Sequence, residues 1–272
     1  MKKFFKSYLP FTRAGMQTAV TYRVNFLFIV VGCAVQLCVS FFIWSAVFAS
    51  SNQTDFMGFS RADMITYISI AFLTGFLTYS EAMYVIGEEI REGSIAMRVL
   101  KPVSFNLTFL FHELGARAIS SAFVFFPVVG GVEIYRAIAF GAVQFDPAQF
   151  LGFVVSALLG FMIQFFFSTC CGYAAFVFQN IWGANMMRQA IVIFLSGEVI
   201  PLAFLPAWAG NTLRFLPFAS LSYTPVMIYL GRYTGASALG FLGLQLFWLL
   251  FFVALAEVIW RIVIKRLCVQ GG

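Results

Sequence analysis

The sequence predicts an all-α polytopic membrane protein, and three observations predict it. The first is composition: of 272 residues, 61% are hydrophobic, 36 are Phe and only 10% are charged. Soluble domains are about half apolar and about a quarter charged, so the solvent for most of this surface is lipid. The second is the spacing of the apolar runs, several of which reach the roughly 20 residues that a helix needs to cross a bilayer. The third is the placement of Lys and Arg, which gather in alternate loops. A secretory signal does not account for the composition, because the hydrophobicity runs along the whole chain rather than in one N-terminal segment.

Taken in order, residues 1–23 (MKKFFKSYLPFTRAGMQTAVTYR) mix basic residues with Phe, Tyr and Leu. They read as an amphipathic helix at the membrane interface, with Lys2, Lys3 and Lys6 near anionic head groups; the alternative is a frayed basic leader that only sets topology. Residues 24–49 form a first span without a single charge, and 64–86 a second, with Glu81 near one end. A charged stretch follows at 87–104. The third span is 105–132, carrying His112, Glu113 and Arg117; the fourth, 148–178, is free of charge. The fifth, 189–208, is interrupted by Glu198 and Pro201, and the sixth, 239–260, has Glu257 near its end. Between the last two, 209–231 is apolar from Asn211 but broken by Pro217 and Pro225. Proline is poorly tolerated in helix interiors, so this stretch is expected to dip into the membrane and return rather than cross it.

Six spans place both ends on one side. That side would hold Lys2, Lys3, Lys6, Arg13, Arg23, Arg91, Arg98, Lys101, Arg188, Arg261, Lys265 and Arg266. The other would hold Arg61, Arg136, Arg214 and Arg232, with Arg117 inside a span. Positive residues mark the cytoplasmic side, so both termini are expected in the cytoplasm and the net charge of +6 reports topology. Nucleic acid is not an expected partner, since the basic residues form no stripe and accompany no binding motif.

The stretch GEEIREGSIAMRVLKPVS, Gly87 to Ser104, then falls in the first cytoplasmic loop. It holds Glu88, Glu89, Arg91, Glu92, Arg98 and Lys101. Helical spacing puts Ile90, Met97 and Leu100 along one stripe and the charges Glu88, Arg91 and Glu92 on another side. Gly93 is expected to bend the segment and Pro102 to separate it from the third span. On physical grounds this is either a docking surface or a solvated connection.

This loop resembles the coupling segment of type 2 ABC exporter permeases. The stretch SGEVIPLAFLPAWAGNTLRFLPFASLSYTPVMIYLG, Ser196 to Gly231, is similar to the outer re-entrant region of the same family, with Gly197, Ile200, Pro201, Leu205, Pro206, Trp208, Leu216, Pro217, Phe218, Pro225, Tyr229, Leu230 and Gly231 as the matching residues. The likeness spans essentially the whole chain and leans toward permeases of drug and antimicrobial-resistance exporters. It implies a half-transporter of a bacterial inner or plasma membrane, pairing as a homodimer or with a second permease and driven by a separate ABC ATPase subunit. Glu88, Glu89, Arg91, Glu92, Gly93 and Ser94 would then couple to the ATPase. Gly197, Glu198, Pro201, Pro206, Trp208, Pro217 and Pro225 would belong to the outer gate, or to a plug without a gating role. ATP and Mg would sit on the partner, with no cofactor on this chain. In keeping with that, no GxxxxGK[ST] phosphate loop occurs in the sequence. The expected cargo is an apolar or amphipathic drug, antimicrobial peptide or lipid-like molecule, moved outward by alternating access.

Within the spans, Glu113 and Arg117 are four residues apart with the acid first, which favours a structural ion pair; a proton relay with His112 is the alternative. HELGA lacks the second His of HExxH, so no metal site is expected. Glu198 either lines the transport path or caps the first re-entrant helix. Gly152, Ser156 and Gly160, spaced by four, let helices approach closely and are expected to pack within the subunit. None of Cys33, Cys38, Cys170, Cys171 and Cys268 sits in an oxidising loop, so disulfides are not expected. The competing class is an ion-coupled carrier or channel, which predicts paired midplane sites and inverted repeats; neither is visible. No nucleophile–base constellation supports an intramembrane enzyme.

Overall fold

The computed structural model describes residues 2–21, 23–51, 55–140, 146–178 and 181–266. Cys268 lies outside them, as do the side chains of Lys2, Lys3, Arg23, Cys33 and Arg136. The architecture is helical throughout, save one two-stranded hairpin. Helix α1 (Lys2–Thr21) precedes α2 (Arg23–Ser51). Strands β1 (Asp55–Phe56) and β2 (Phe59–Ser60) pair antiparallel around Met57 and Gly58. Both turn residues have positive φ, 51° and 78°, the conformation that matches the twist of a two-residue hairpin. Ser60 then caps α3 (Arg61–Thr78), accepting from the Asp63 amide while the Asp63 carboxylate accepts from the Ser60 amide.

Among the described residues four helical stretches are long and apolar enough to cross a membrane: Arg61–Arg91, Phe105–Ile134, Pro147–Phe176 and Gly235–Val263. Within α2 the apolar piece Ala34–Ser50 is shorter. The first of the four is not one continuous helix, although the sequence reads 64–86 as one span. It breaks at Tyr79–Glu81 and resumes as α4 (Ala82–Arg91). A turn at Gly93, with φ of 74°, reverses the chain into the short α5 (Ile95–Val99).

Helix α6 (Phe105–Ser120) runs through a π-helical turn at Ser121–Phe125 into α7 (Phe126–Phe140). Pro127 is the second residue of α7. It has no N–H to donate and its ring crowds the carbonyl four residues back, and the wider π turn absorbs that conflict. Helix α8 (Pro147–Gly172) is capped by Asp146, which accepts from the Ala148 amide, with proline at the first helical position. It is the central element and packs against α3, α4, α12 and α11. Helix α9 (Trp182–Leu195) is short, with 14 residues; the sequence-based range 189–208 covers its second half and the irregular chain beyond. Helices α10 (Ala207–Phe215) and α11 (Tyr223–Tyr229) form the broken segment before α12 (Gly235–Val263).

The small residues of α8 do what their spacing suggests. A Cβ on Gly160 would stand 2.9 Å from the Ser220 carbonyl oxygen, and one on Gly152 3.0 Å from Ile228. Ser156 donates to Gln245 Oε1 at 2.9 Å, and Gln245 Nε2 donates to the carbonyls of Ser156 and Ser220 at 3.1 and 2.8 Å. One fully buried amide on α12 therefore holds both α8 and the turn before α11. Replacing Gln245 with Leu leaves those groups unpaired in an apolar interior. The expected cost is about 2–3 kcal/mol, read as a lower midpoint of thermal unfolding in detergent.

The N-terminal helix packs directly against α6. Tyr8, Thr12 and Gly15 share one face of α1 and lie along α6. A Cβ on Gly15 would overlap the His112 carbonyl, and one on Gly115 would overlap the Thr12 carbonyl. Each glycine thus lets the other helix's backbone come into contact. Tyr8 stacks on Phe111 with ring centroids 5.0 Å apart, and its hydroxyl accepts from the Ser104 amide at 2.9 Å.

Candidate functional site: a backed helical hairpin, a helix break and a polar cavity

The chemistry-bearing residues gather in three connected places. The first is the α4–α5 hairpin. Glu88 and Arg91 pair with each other one turn apart. Glu89 pairs with Arg98 through two hydrogen bonds, one of them Arg98 Nε to Glu89 Oε2 at 2.8 Å. Arg98 also donates to Thr108 Oγ1 at 3.2 Å and lies 3.9 Å over the Phe109 ring. Glu89 is therefore a strut between the two arms of the hairpin and α6, where the sequence expects it on a docking face. Arg98, not singled out from sequence, is the centre of that strut. Its signal was only its reach from α5 back to an acid nine residues earlier.

The tip is open: Arg91, Glu92, Gly93 and Ser94 are all exposed. Beside it Met97 and Leu100 stand 70% and 79% exposed while Ile95 is buried. The expected stripe of Ile90, Met97 and Leu100 is not an inward face. The break at Gly93 resets the helical phase, so Ile95 turns inward and the other two point away from the protein. Lys101 lies 5.7 Å from the Phe11 ring on α1, which joins the base of the hairpin to the N-terminal helix.

The second place is the α3–α4 break, with two α6 side chains at its two ends. Glu113 accepts from the Ser80 hydroxyl at 2.8 Å and the Glu81 amide at 2.9 Å, at the start of α4. Arg117 donates to the Phe76 carbonyl at 2.9 Å, in the last turn of α3. A carboxylate at a helix start and a guanidinium at a helix end both complement the helix dipole. The sequence predicts that Glu113 and Arg117 close an ion pair on their own helix. Their hydrogen bonds go to backbone groups freed by the break, and the two remain electrostatic partners, so the two charges act together by stabilising one discontinuity. Arg117→Met is expected to lower stability by about 1–3 kcal/mol, checked by thermal unfolding, with the loss reduced in Arg117→Lys.

The third place is a cavity of about 50 Å³ between α3, α8, α9 and the turn before α11. Gly75, Gln164, Gln189, Ser196, Glu198 and Ser222 are among its lining residues. Gly197, with φ of 77°, turns the chain at the end of α9. Its carbonyl accepts from the Tyr67 hydroxyl at 2.5 Å, and the Ser196 carbonyl accepts from the Tyr223 amide at 3.0 Å. That turn directs the Glu198 carboxylate against Gly75, whose missing Cβ makes the room. Glu198 lines the cavity, and among the described residues no backbone amide of the helical pieces that follow donates to it.

The remaining gate candidates are dispersed. Pro201, Pro217 and Pro225 are buried, Pro206 is exposed, and Trp208 is 77% exposed. The β1–β2 hairpin is fastened to the loop after α11 by Arg232, which donates to the Gly58 carbonyl at 2.6 Å and to Asp63 Oδ2 at 3.0 Å. Arg188 corrects another expectation. Counted from sequence as a loop charge, it is buried on α9 at 6% exposure, donating to Asn185 Oδ1 at 3.0 Å and to Ser168 Oγ at 3.0 Å.

A family model described as "ABC-2 family transporter protein" matches residues 34–271. The chain belongs to the ABC-2 transporter family. It is a membrane permease of an ABC transporter, a transport subunit that is not itself catalytic. Permeases of this family normally work with an ATPase subunit. A comparison with curated proteins found no match. The fold agrees with membership: an all-α polytopic membrane protein whose long apolar helices enclose the cavity and carry the hairpin at one end.

Proposed function

We propose that this ABC-2 permease is the membrane half of an ATP-driven exporter, and that the α4–α5 hairpin tip is where a separate ATPase docks. The observation that carries this reading is the contrast inside the hairpin. Glu89, Arg98, Thr108 and Phe109 lock its base to α6, while Glu92, Gly93, Ser94, Met97 and Leu100 are left outward. A rigidly backed, exposed tip of mixed apolar and charged residues suits a partner that pushes on it. Movement of the tip would pass through α4 to the α3–α4 break and through α6 to α1.

On this reading both termini and the hairpin are cytoplasmic in a bacterial cell membrane, and ATP and Mg bind the partner. The β1–β2 hairpin, α10 and α11 cover the outer end as a gate for alternating access. The exposed apolar residues of α2 and α9, among them Phe42, Ile43, Ile191 and Phe194, are available for lipid or for a second permease, identical or related. The cargo is an apolar or amphipathic drug, peptide or lipid-like molecule. The test is purification of the tagged chain from its native membrane in mild detergent, with mass spectrometry of what accompanies it. An ABC ATPase in the eluate supports the reading. Its absence across several detergents and after cross-linking would favour an ion-coupled carrier.

A further inference from the structure

We propose that the cavity at the end of α9 is a subsite for a small cation with N–H donors, such as the ammonium group of a transported molecule. This rests on the transporter reading and narrows its substrate class. The Glu198 carboxylate enters the cavity, and among the described residues no hydrogen bond or ion pair reaches it. Arg117 and Arg188 are committed elsewhere, to Phe76, Asn185 and Ser168. Gln164 lines the same space, is only 3% exposed, and its Oε1 has no partner. Buried polar groups are nearly always satisfied, and the Glu198 carboxylate and the Gln164 Oε1 are two acceptors without a donor among the described residues.

The hydroxyls around it supply few. Ser222 donates to the Ala71 carbonyl at 3.3 Å, Ser196 to Ile193 at 3.2 Å and Thr78 to Thr74 at 2.9 Å. Their protons are occupied and their lone pairs remain. Gln189 donates to the Tyr79 hydroxyl at 3.2 Å, which leaves the Tyr79 proton as a donor at one edge. Apart from the amide N–H groups of Gln164 and Gln189, the lining thus offers mainly acceptors, with one carboxyl group and, among the described residues, no cation. A cavity of about 50 Å³ has room for water-sized groups; ammonium and methylammonium bring N–H donors to its acceptors, whereas tetramethylammonium has none.

The test uses the purified full-length chain in lipid nanodiscs, without any ATPase, so that failure here is separate from failure of the exporter reading. Thermal unfolding is followed in methylammonium, potassium or sodium chloride against tetramethylammonium chloride at equal ionic strength. Methylammonium is expected to raise the midpoint by about 2–4 °C near saturation. The rise should vanish in Glu198→Gln and shrink in Gln164→Leu, which keeps the test open if the first variant folds poorly. A rise with methylammonium identifies an organic head group as the occupant. A rise with potassium or sodium but not with methylammonium overturns the proposal, because those ions carry no N–H donor. No rise with any of them, or an equal rise in Glu198→Gln, overturns the proposal and leaves a water-filled cavity.

Discussion

Glu92→Lys is expected to reduce recovery of the ATPase with the permease at least about tenfold, about 1.4 kcal/mol of binding, while leaving the permease's own unfolding midpoint within about 1 °C. Glu92 is exposed at the hairpin tip and has no partner among the described residues, and surface substitutions away from structural features change stability little. Reversing its charge affects only whatever docks there. Glu89→Lys should behave differently although it is a near neighbour in sequence. It removes both hydrogen bonds to Arg98 and sets two cations side by side. Side-chain exposures of 22% for Arg98 and 19% for Glu89 leave limited screening by solvent, so the loss is about 2–3 kcal/mol. Both ATPase recovery and the unfolding midpoint should fall. Equal behaviour of the two variants would mean that Glu89 is not a strut.

Gly115→Leu is expected to separate α1 from α6. Any side chain at 115 must occupy the position of the Thr12 carbonyl, and backbone cannot yield as a flexible side chain can. Overpacking of this kind costs about 1–3 kcal/mol, comparable to what Tyr8 contributes through its stacking on Phe111 and its bond to Ser104. Docking of α1 can be followed with a short bifunctional thiol cross-linker between Tyr8→Cys and Phe111→Cys, whose rings stack in the parent. The cross-link should form readily in the parent background and fall severalfold with Gly115→Leu added. If α1 serves only to hold the membrane surface, the cross-link will be weak in both.

The membrane class and the main apolar helices were legible because lipid imposes length and composition on each span separately. The hairpin was legible because charge is costly in this solvent and its concentration at 87–104 required an aqueous location. The break at Tyr79–Glu81 was not. TYSEA has neither proline nor glycine, and the break depends on Glu113 and Arg117 arriving from a helix over 30 residues away. The same blindness hid the hydrogen-bond partners of that acid and base. Spacing of four on one helix suggests a pair, and only tertiary packing reveals carbonyls and amides that compete for the charges. Arg188 was misplaced because counting basic residues by loop assumes that every Arg near a helix end is solvated, whereas Asn185 and Ser168 satisfy this one internally. The cavity could not be anticipated, since Gly75, Gln164 and Glu198 come together only in three dimensions.

The central claim is that an ATPase seats on the hairpin tip, and a photo-cross-linking amino acid at Ser94 tests it most directly. Irradiation of native membranes should give one product containing this chain and an ABC ATPase, absent when the probe is moved to the exposed Trp208. A Ser94 probe that captures only lipid or water, or an ATPase captured from Trp208 instead, would contradict the account.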